Sequence, residues 1–325
     1  MDVLQSHLVR ARASGGVFAR SVARPPWGLC LPGTIQLAVH TTLQGRMWLW
    51  LDGAGEPLEL APGDVALVRG GPDHFVADRP GAPCLPPEQF REAHAGDADR
   101  ARAAATDSAA DRAGAAGHGT NTFLCGAYTL SGDVGRGLLE ALPAVLTLSA
   151  AADDPLHDVI ALLSSELATP APGQQTVLDR LLDILLVFTL RAGFRRSEHA
   201  PAWFRAEADP RLAPALRAMH SDPARAWTVT DLAAASGLSR AAFARIFQHA
   251  LGQTPMRYLT EWRMTLARDE LRAGEATLAR IAARTGYASP YAFAAAFRRH
   301  HGSAPGQWRR RQPPPPLSTD GVHTA

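Results

Sequence analysis

Residue patterning predicts an α+β protein of two domains. The N-terminal one is a small antiparallel β-barrel or sandwich followed by helices, and the C-terminal one is all-α, with tandem helix-turn-helix units. Residues 16–83 alternate short apolar stretches with Gly and Pro turns, the pattern of an antiparallel β structure. Residues 210–311 repeat a helix, a glycine turn and a second helix at an offset of 49–50 residues. Charge divides at the same place: every basic residue is arginine, and residues 210–311 carry 16 Arg against 6 acidic residues, net +10, while residues 1–209 carry 17 Arg against 24, net −7. A basic segment of about 100 residues joined to an acidic one is the electrostatic footprint of a polyanion binder.

With 325 residues, 46% of them hydrophobic, the chain can bury two cores, which excludes a fully disordered or collagen-like protein. The longest apolar run, around residues 184–190, falls well short of the roughly 20 residues a membrane helix needs. The N-terminus lacks a signal-peptide apolar core, so a soluble, cytoplasmic protein without a membrane partner is expected. Cys30, Cys84 and Cys125 form no CxxC pair and are expected to be free thiols, neither a disulfide framework nor a structural zinc site.

Taken in order, strands are expected at 17–22, 34–42, 46–51, 56–60 and 64–69, with a further strand at 122–130 closing the sheet. On strand 46–51, Trp48 and Trp50 share one face and Met47, Leu49 and Leu51 the other, with the inward face left open. Residues 86–120 have Phe90 as their only aromatic and no Val, Ile, Leu or Met, and are read as a disordered insertion. These parts make up the first domain, 1–133. Apolar residues at three- and four-residue spacing, Leu138 to Leu146 and Leu156 to Leu167, then predict amphipathic helices interrupted at Pro143. Residues 176–194 are apolar over more than one face and need cover on two sides. That cover comes either from the same domain or from a second copy; the segment 134–196 is expected to dimerise the chain, and Leu182 and Leu186 test it if they face the partner and not the core. A polar linker, 197–209, leads to the basic domain 210–311, and 312–325 is a disordered tail.

Within the basic domain, Leu232-Ala233-x3-Gly237-Leu238-Ser239-x3-Phe243-x3-Phe247 returns as Ile281-Ala282-x3-Gly286-Tyr287-x-Ser289-x3-Phe293-x3-Phe297. Glycine suits a turn at positive φ, Ser239 and Ser289 sit where an N-cap oxygen serves, and Pro290 takes the first helical position. The paired phenylalanines lie on one face of each second helix and leave the other face outward. Between the units, a helix of about 19 residues from Thr254 spans roughly 28 Å. A rod of that length can set two recognition helices about one DNA turn apart, near 34 Å, in successive major grooves.

These residues, with the linker motif Arg263-Met264-x2-Ala267-x3-Leu271 and the closing Phe297-Arg298-Arg299-x2-Gly302-x2-Pro305-x2-Trp308, resemble the DNA-binding domain of the AraC/XylS family of bacterial transcription regulators. Pro26-Trp27-Gly28, His40, Gly45-x-x-Trp48, Pro62-Gly63-Asp64 and His74 resemble the cupin-like sensor found in one branch of that family. The resemblance implies a sequence-specific regulator that answers a small-molecule or stress signal. Its implied partners are double-stranded promoter DNA, RNA polymerase and a second copy of the chain.

By the same resemblance, the base-facing positions are Ala241, Ala244 and Arg245 in the first unit and Pro290, Tyr291, Ala292 and Ala295 in the second. Arg245 is the arginine placed for a bidentate guanine contact, while Arg240, Arg298 and Arg299 suit phosphate. His40 and His74 are the candidate ligand-binding residues of the sensor. A metal-dependent cupin enzyme is the catalytic alternative, but two isolated histidines fall short of a metal set, so neither catalytic residue, metal nor cofactor is expected. Redox sensing through cysteine is another alternative. An architectural protein binding DNA without sequence preference is a third.

Overall fold

The computed structural model describes residues 1–11, 14–97, 100, 120–149, 154–167, 171–197 and 200–311, with backbone only for 14–19. Two compact units divide the chain: Ala13–Leu130 with Leu139–His199, and Met1–Arg12 with Ser131–Leu138 and Ala200–Ala325. The N-terminal helix and the segment around residue 133 thus belong with the basic domain, whereas the sequence pattern alone places 1–133 in the sensor. The expected disordered tail, 312–325, lies outside the described residues.

The β unit is a pair of antiparallel sheets facing each other. One has the order β1 (Ser14–Ala23), β8 (Asn121–Thr129), β3 (Leu37–Gln44), β6 (Asp64–Arg69), β9 (Val145–Ser149). The other runs β2 (Gly28–Leu31), β7 (His74–Ala77), β4 (Met47–Leu51), β5 (Ala54–Leu60). Strand alternation decides which side chains fill the space between them. Met47 and Leu49 of β4 are fully buried with Val76, Ala38, Ala66 and Val68. Trp50 takes the opposite face and stacks on Phe75, ring centroids 5.4 Å apart. The Met47 and Leu49 face of this strand is therefore the inward one.

Three expectations need correction here. Residues 86–120 begin with an ordered helix, α2 (Pro87–His94), because Phe90 inserts edge-on against Trp27 and Phe123, each 6.1 Å away. Their continuation, 101–119, lies outside the described residues. Val145 and Leu146 are strand, not helix: α3 (Gly132–Glu140) stops before Pro143, which donates no backbone hydrogen bond and disfavours the helical conformation before it, and the chain then pairs with β6 as β9. Finally, β2 and β7 were not anticipated, since four residues offer too little alternation to register.

Helices α4 (Pro155–Glu166) and α5 (Gln174–Arg196) complete this unit, with α5 along β1 and β9. The Tyr128 hydroxyl of β8 donates to the Leu182 carbonyl at 2.9 Å. Leu182 and Leu186 are 1% and 3% exposed, so they face their own domain and not a partner. The outward apolar positions are Val177 and Ile184, with Leu181 and Phe188 half-buried beside them.

In the helical unit, α6 (Ala202–Ala208) occupies what was read as linker: Ala206 is buried in a core with Leu212, Leu216 and Met219 of the α7 (Ala213–Ser221) region. Val3 of α1 (Val3–Arg10) enters the same core, and its backbone N–H donates to both Glu207 carboxylate oxygens at 2.9 and 3.0 Å. His7 stacks on Trp203 with centroids 4.5 Å apart, and the buried His220 shares a 2.7 Å hydrogen bond with the Tyr258 hydroxyl.

Candidate nucleic-acid interface

The candidate interface is built on two helix pairs: α8 (Val229–Ala235) with α9 (Arg240–Leu251), and α11 (Leu278–Arg284) with α12 (Pro290–His301). In each pair the turn glycine takes the left-handed conformation, Gly237 at φ 65° and Gly286 at φ 77°. The Ser239 hydroxyl accepts from the Ala242 amide at 3.3 Å and the Ser289 hydroxyl from the Ala292 amide at 3.1 Å. Each cap satisfies one orphan donor and fixes where the second helix begins. Thr228 and Asp231 form a reciprocal capping box at the start of α8.

The aromatic pairs decide which way the second helices face. Phe243 and Phe247 are fully buried with Leu232 and Ala233, and Phe293 and Phe297 with Ile281 and Ala282. Arg240, Ala241 and Arg245 are left exposed on α9, and Tyr291, Ala292, Ala295, Arg298 and Arg299 on α12. Tyr291, 88% exposed, is the most open large apolar side chain of those described. Among the described residues, Arg240, Arg245, Arg298 and Arg299 form no ion pair, whereas Arg257 pairs with Glu261 and Arg284 with Glu270. Sequence could not separate open from paired arginines, because the Arg284 partner lies 14 residues away on another helix.

Helix α10 (Pro255–Ala273) joins the pairs and belongs to both cores: Leu259 packs with Phe243 and Phe247, while Met264, Ala267 and Leu271 pack with Phe293 and Phe297. Arg263 clamps the arrangement. Its Nε donates to the Pro223 carbonyl and its Nη2 to the Arg225 carbonyl, both at 2.7 Å. Gly286 closes against the same loop, and a Cβ there would stand 2.5 Å from the Ala224 carbonyl oxygen. Arg225 itself lies over the Trp227 ring at 4.0 Å, beside the start of α8, a feature the repeat pattern did not single out.

In the β unit, His40 and His74 meet. Their Nε2 atoms are 3.0 Å apart, and His40 Nδ1 lies 3.0 Å from the Cys125 sulfur. Both rings are buried, which pushes the His40 pKa well below its usual value and that of His74 down to about 4. Two neutral imidazoles and a thiol in one line can each donate to the next. Burial raises the pKa of all three thiols, that of Cys84 to about 11, which disfavours the reactive thiolate. No group of three or more His, Cys, Asp or Glu positioned to hold a metal ion occurs among the described residues, and no described helix is long and apolar enough to cross a membrane.

Residues 2–195 match the family model described as Cupin, and residues 232–311 match the one described as Helix-turn-helix domain. An AraC-like transcription regulator of Streptomyces lividans is 33% identical over 318 residues, covering 95% of this chain and 98% of that protein. Another AraC-like transcription regulator, from Streptomyces antibioticus, is 32% identical over 320 residues, covering 97% and 100%. The HTH-type transcriptional regulator AlkR of Acinetobacter baylyi is 27% identical over 292 residues, covering 88% and 91%.

Proposed function

The chain belongs to the family of AraC-like transcription regulators, and from that premise we propose that α9 and α12 enter successive major grooves of promoter DNA under control of the cupin domain. The observation that carries the reading is the pair of capped, outward-facing second helices mounted on one 19-residue rod, α10. Arg245 reads a guanine edge. Arg240, Arg298 and Arg299 hold phosphates and set register, and Arg225, held over the Trp227 ring, adds a further phosphate contact beside α8. The exposed alanines offer only methyl contacts, so most sequence information in the second half-site comes from Tyr291 and from DNA shape.

In the cupin domain a small effector contacts His40 and His74 between the two sheets. It can act only through different affinities for two conformations of the protein. The chain works as a homodimer in the cytoplasm and meets RNA polymerase at the promoter. The dimer face is the α5 stripe Val177, Leu181, Ile184 and Phe188, whose 4-3-4 spacing is that of a coiled-coil seam. No catalytic step is part of this reading.

Selection of duplexes from a randomised library by the full chain tests it. We expect one recovered motif, and Arg245→Ala to relax preference at one base position at a cost of about 1–3 kcal/mol. Recovery without a motif would favour an architectural protein instead.

A further inference from the structure

Gln248 stands on the outward face of α9, one turn beyond Arg245. At about 100° per residue, Arg245 lies directly opposite the buried Phe243 and Phe247, and Gln248 comes within about 60° of it. Both side chains are exposed. Helical side chains lean back toward the N-terminus of their helix, which carries the Gln248 amide toward Arg245 and the half of α9 that leads into the groove. The backbone beneath it is fixed, because Gly252, at φ 70°, ends the helix and donates its N–H to the Gln248 carbonyl at 2.9 Å. Gln36 accepts the Leu130 N–H and Gln175 donates to Asp179, so these two amides are spent within the fold. The Gln248 amide makes no hydrogen bond with the described residues.

Chemistry decides what such an amide contacts on DNA. The repeat offset of 50 residues that carries Phe243 onto Phe293 carries Gln248 onto Arg298. Arg298 is a cation, and phosphate rewards it by releasing counterions; a neutral glutamine at the same place gains nothing from that source. It offers instead one donor and one acceptor in a single plane, the complement of adenine N7 and N6 in the major groove. Resting on the regulator reading above, we propose that Gln248 is a second base reader of α9, specific for an adenine beside the guanine read by Arg245. Three residues advance about 4.5 Å along the helix and base pairs stack about 3.4 Å apart, which puts the adenine about one to two base pairs from that guanine.

The test selects duplexes from a randomised library with the full chain, then titrates the selected duplex and one in which the adenine is replaced. The wild-type motif should hold a guanine that Arg245→Ala relaxes and, about one to two base pairs away, an adenine that it does not. Gln248→Ala should lose preference at the adenine alone, bind the selected duplex about tenfold more weakly, and bind the replaced duplex to within about twofold of wild type. Its salt dependence should match wild type, since no charge is removed. Alanine is the better helix former, so α9 persists in this variant. Gln248→Glu should move the preference from adenine toward cytosine, whose N4 amine a carboxylate accepts. Equal weakening on both duplexes in Gln248→Ala would make the residue a backbone contact and overturn the assignment. An unchanged motif in Gln248→Ala, with Arg245→Ala relaxing its own position, would overturn it while leaving the regulator reading intact. A wild-type chain that selects no motif overturns that reading and this one with it.

Discussion

Gly286 does two jobs that no other residue can share. It turns the chain at positive φ, and it lets the second helix pair close on the Ala224 carbonyl and Arg263. Gly302 has a similar φ of 73° but open space around its missing Cβ, so it isolates the backbone cost from the steric one. Gly286→Ala should therefore lose about 2–3 kcal/mol, against about 1 kcal/mol for Gly302→Ala, in urea unfolding of the full chain. Equal losses would show that the close approach contributes nothing. The buried histidines carry a second expectation. Burial holds His40, His74 and His220 below the usual imidazole pKa in the folded chain, so on acidification the unfolded chain takes up protons first. Stability is full above pH 7 and falls as pH drops through about 6.5, for His74 continuing to about 4, by up to about 1.4 kcal/mol per pH unit per histidine. Urea midpoints that stay level between pH 7 and pH 5 would contradict it. Sequence placed Gly286 correctly because a glycine after an apolar helix signals a turn. It gave His40 and His74 as candidates without revealing that they touch, since their 34-residue separation is bridged only by sheet packing.

Helix α5 shows what periodicity can and cannot say. Its apolar excess is legible, yet the choice between core and partner faces is not, because both faces are apolar and only the position of β1, β8 and β9 decides between them. Leu178, Leu182, Leu185 and Leu186 turn inward, leaving Val177 and Ile184 at 42% and 41% exposure. Paired Val177→Glu and Ile184→Glu changes should yield a folded monomer in sedimentation, whereas Leu182→Glu should unfold the domain by burying an unpaired charge. A dimer that persists with glutamate at both outer positions would place the interface elsewhere. The β9 segment was misread for a related reason: Val145 and Leu146 continue the helical spacing of Leu138 and Leu142, and only Pro143 hints that the helix has already ended. By contrast the two helix-turn-helix pairs were legible in detail, since cap, turn glycine and phenylalanine spacing all specify the same local structure.

The arginine-only charge split, net +10 over residues 210–311, was the earliest sign of a polyanion partner, and the folded chain gives it direction by pairing some arginines and leaving others open on α9 and α12. What composition could not convey is that residues 1–12 and 131–138 fold with the DNA-binding unit, because such excursions leave no periodic trace. In the proposed function one rod, α10, presents two reading helices to one duplex. Hydroxyl-radical footprinting of the full chain on its selected duplex tests that most directly. Two protected clusters about 10–10.5 base pairs apart on one face are predicted for each chain, with Arg298→Ala and Arg299→Ala together weakening only the cluster served by α12. A single protected cluster per chain, or equal weakening of both clusters in that double variant, would contradict it.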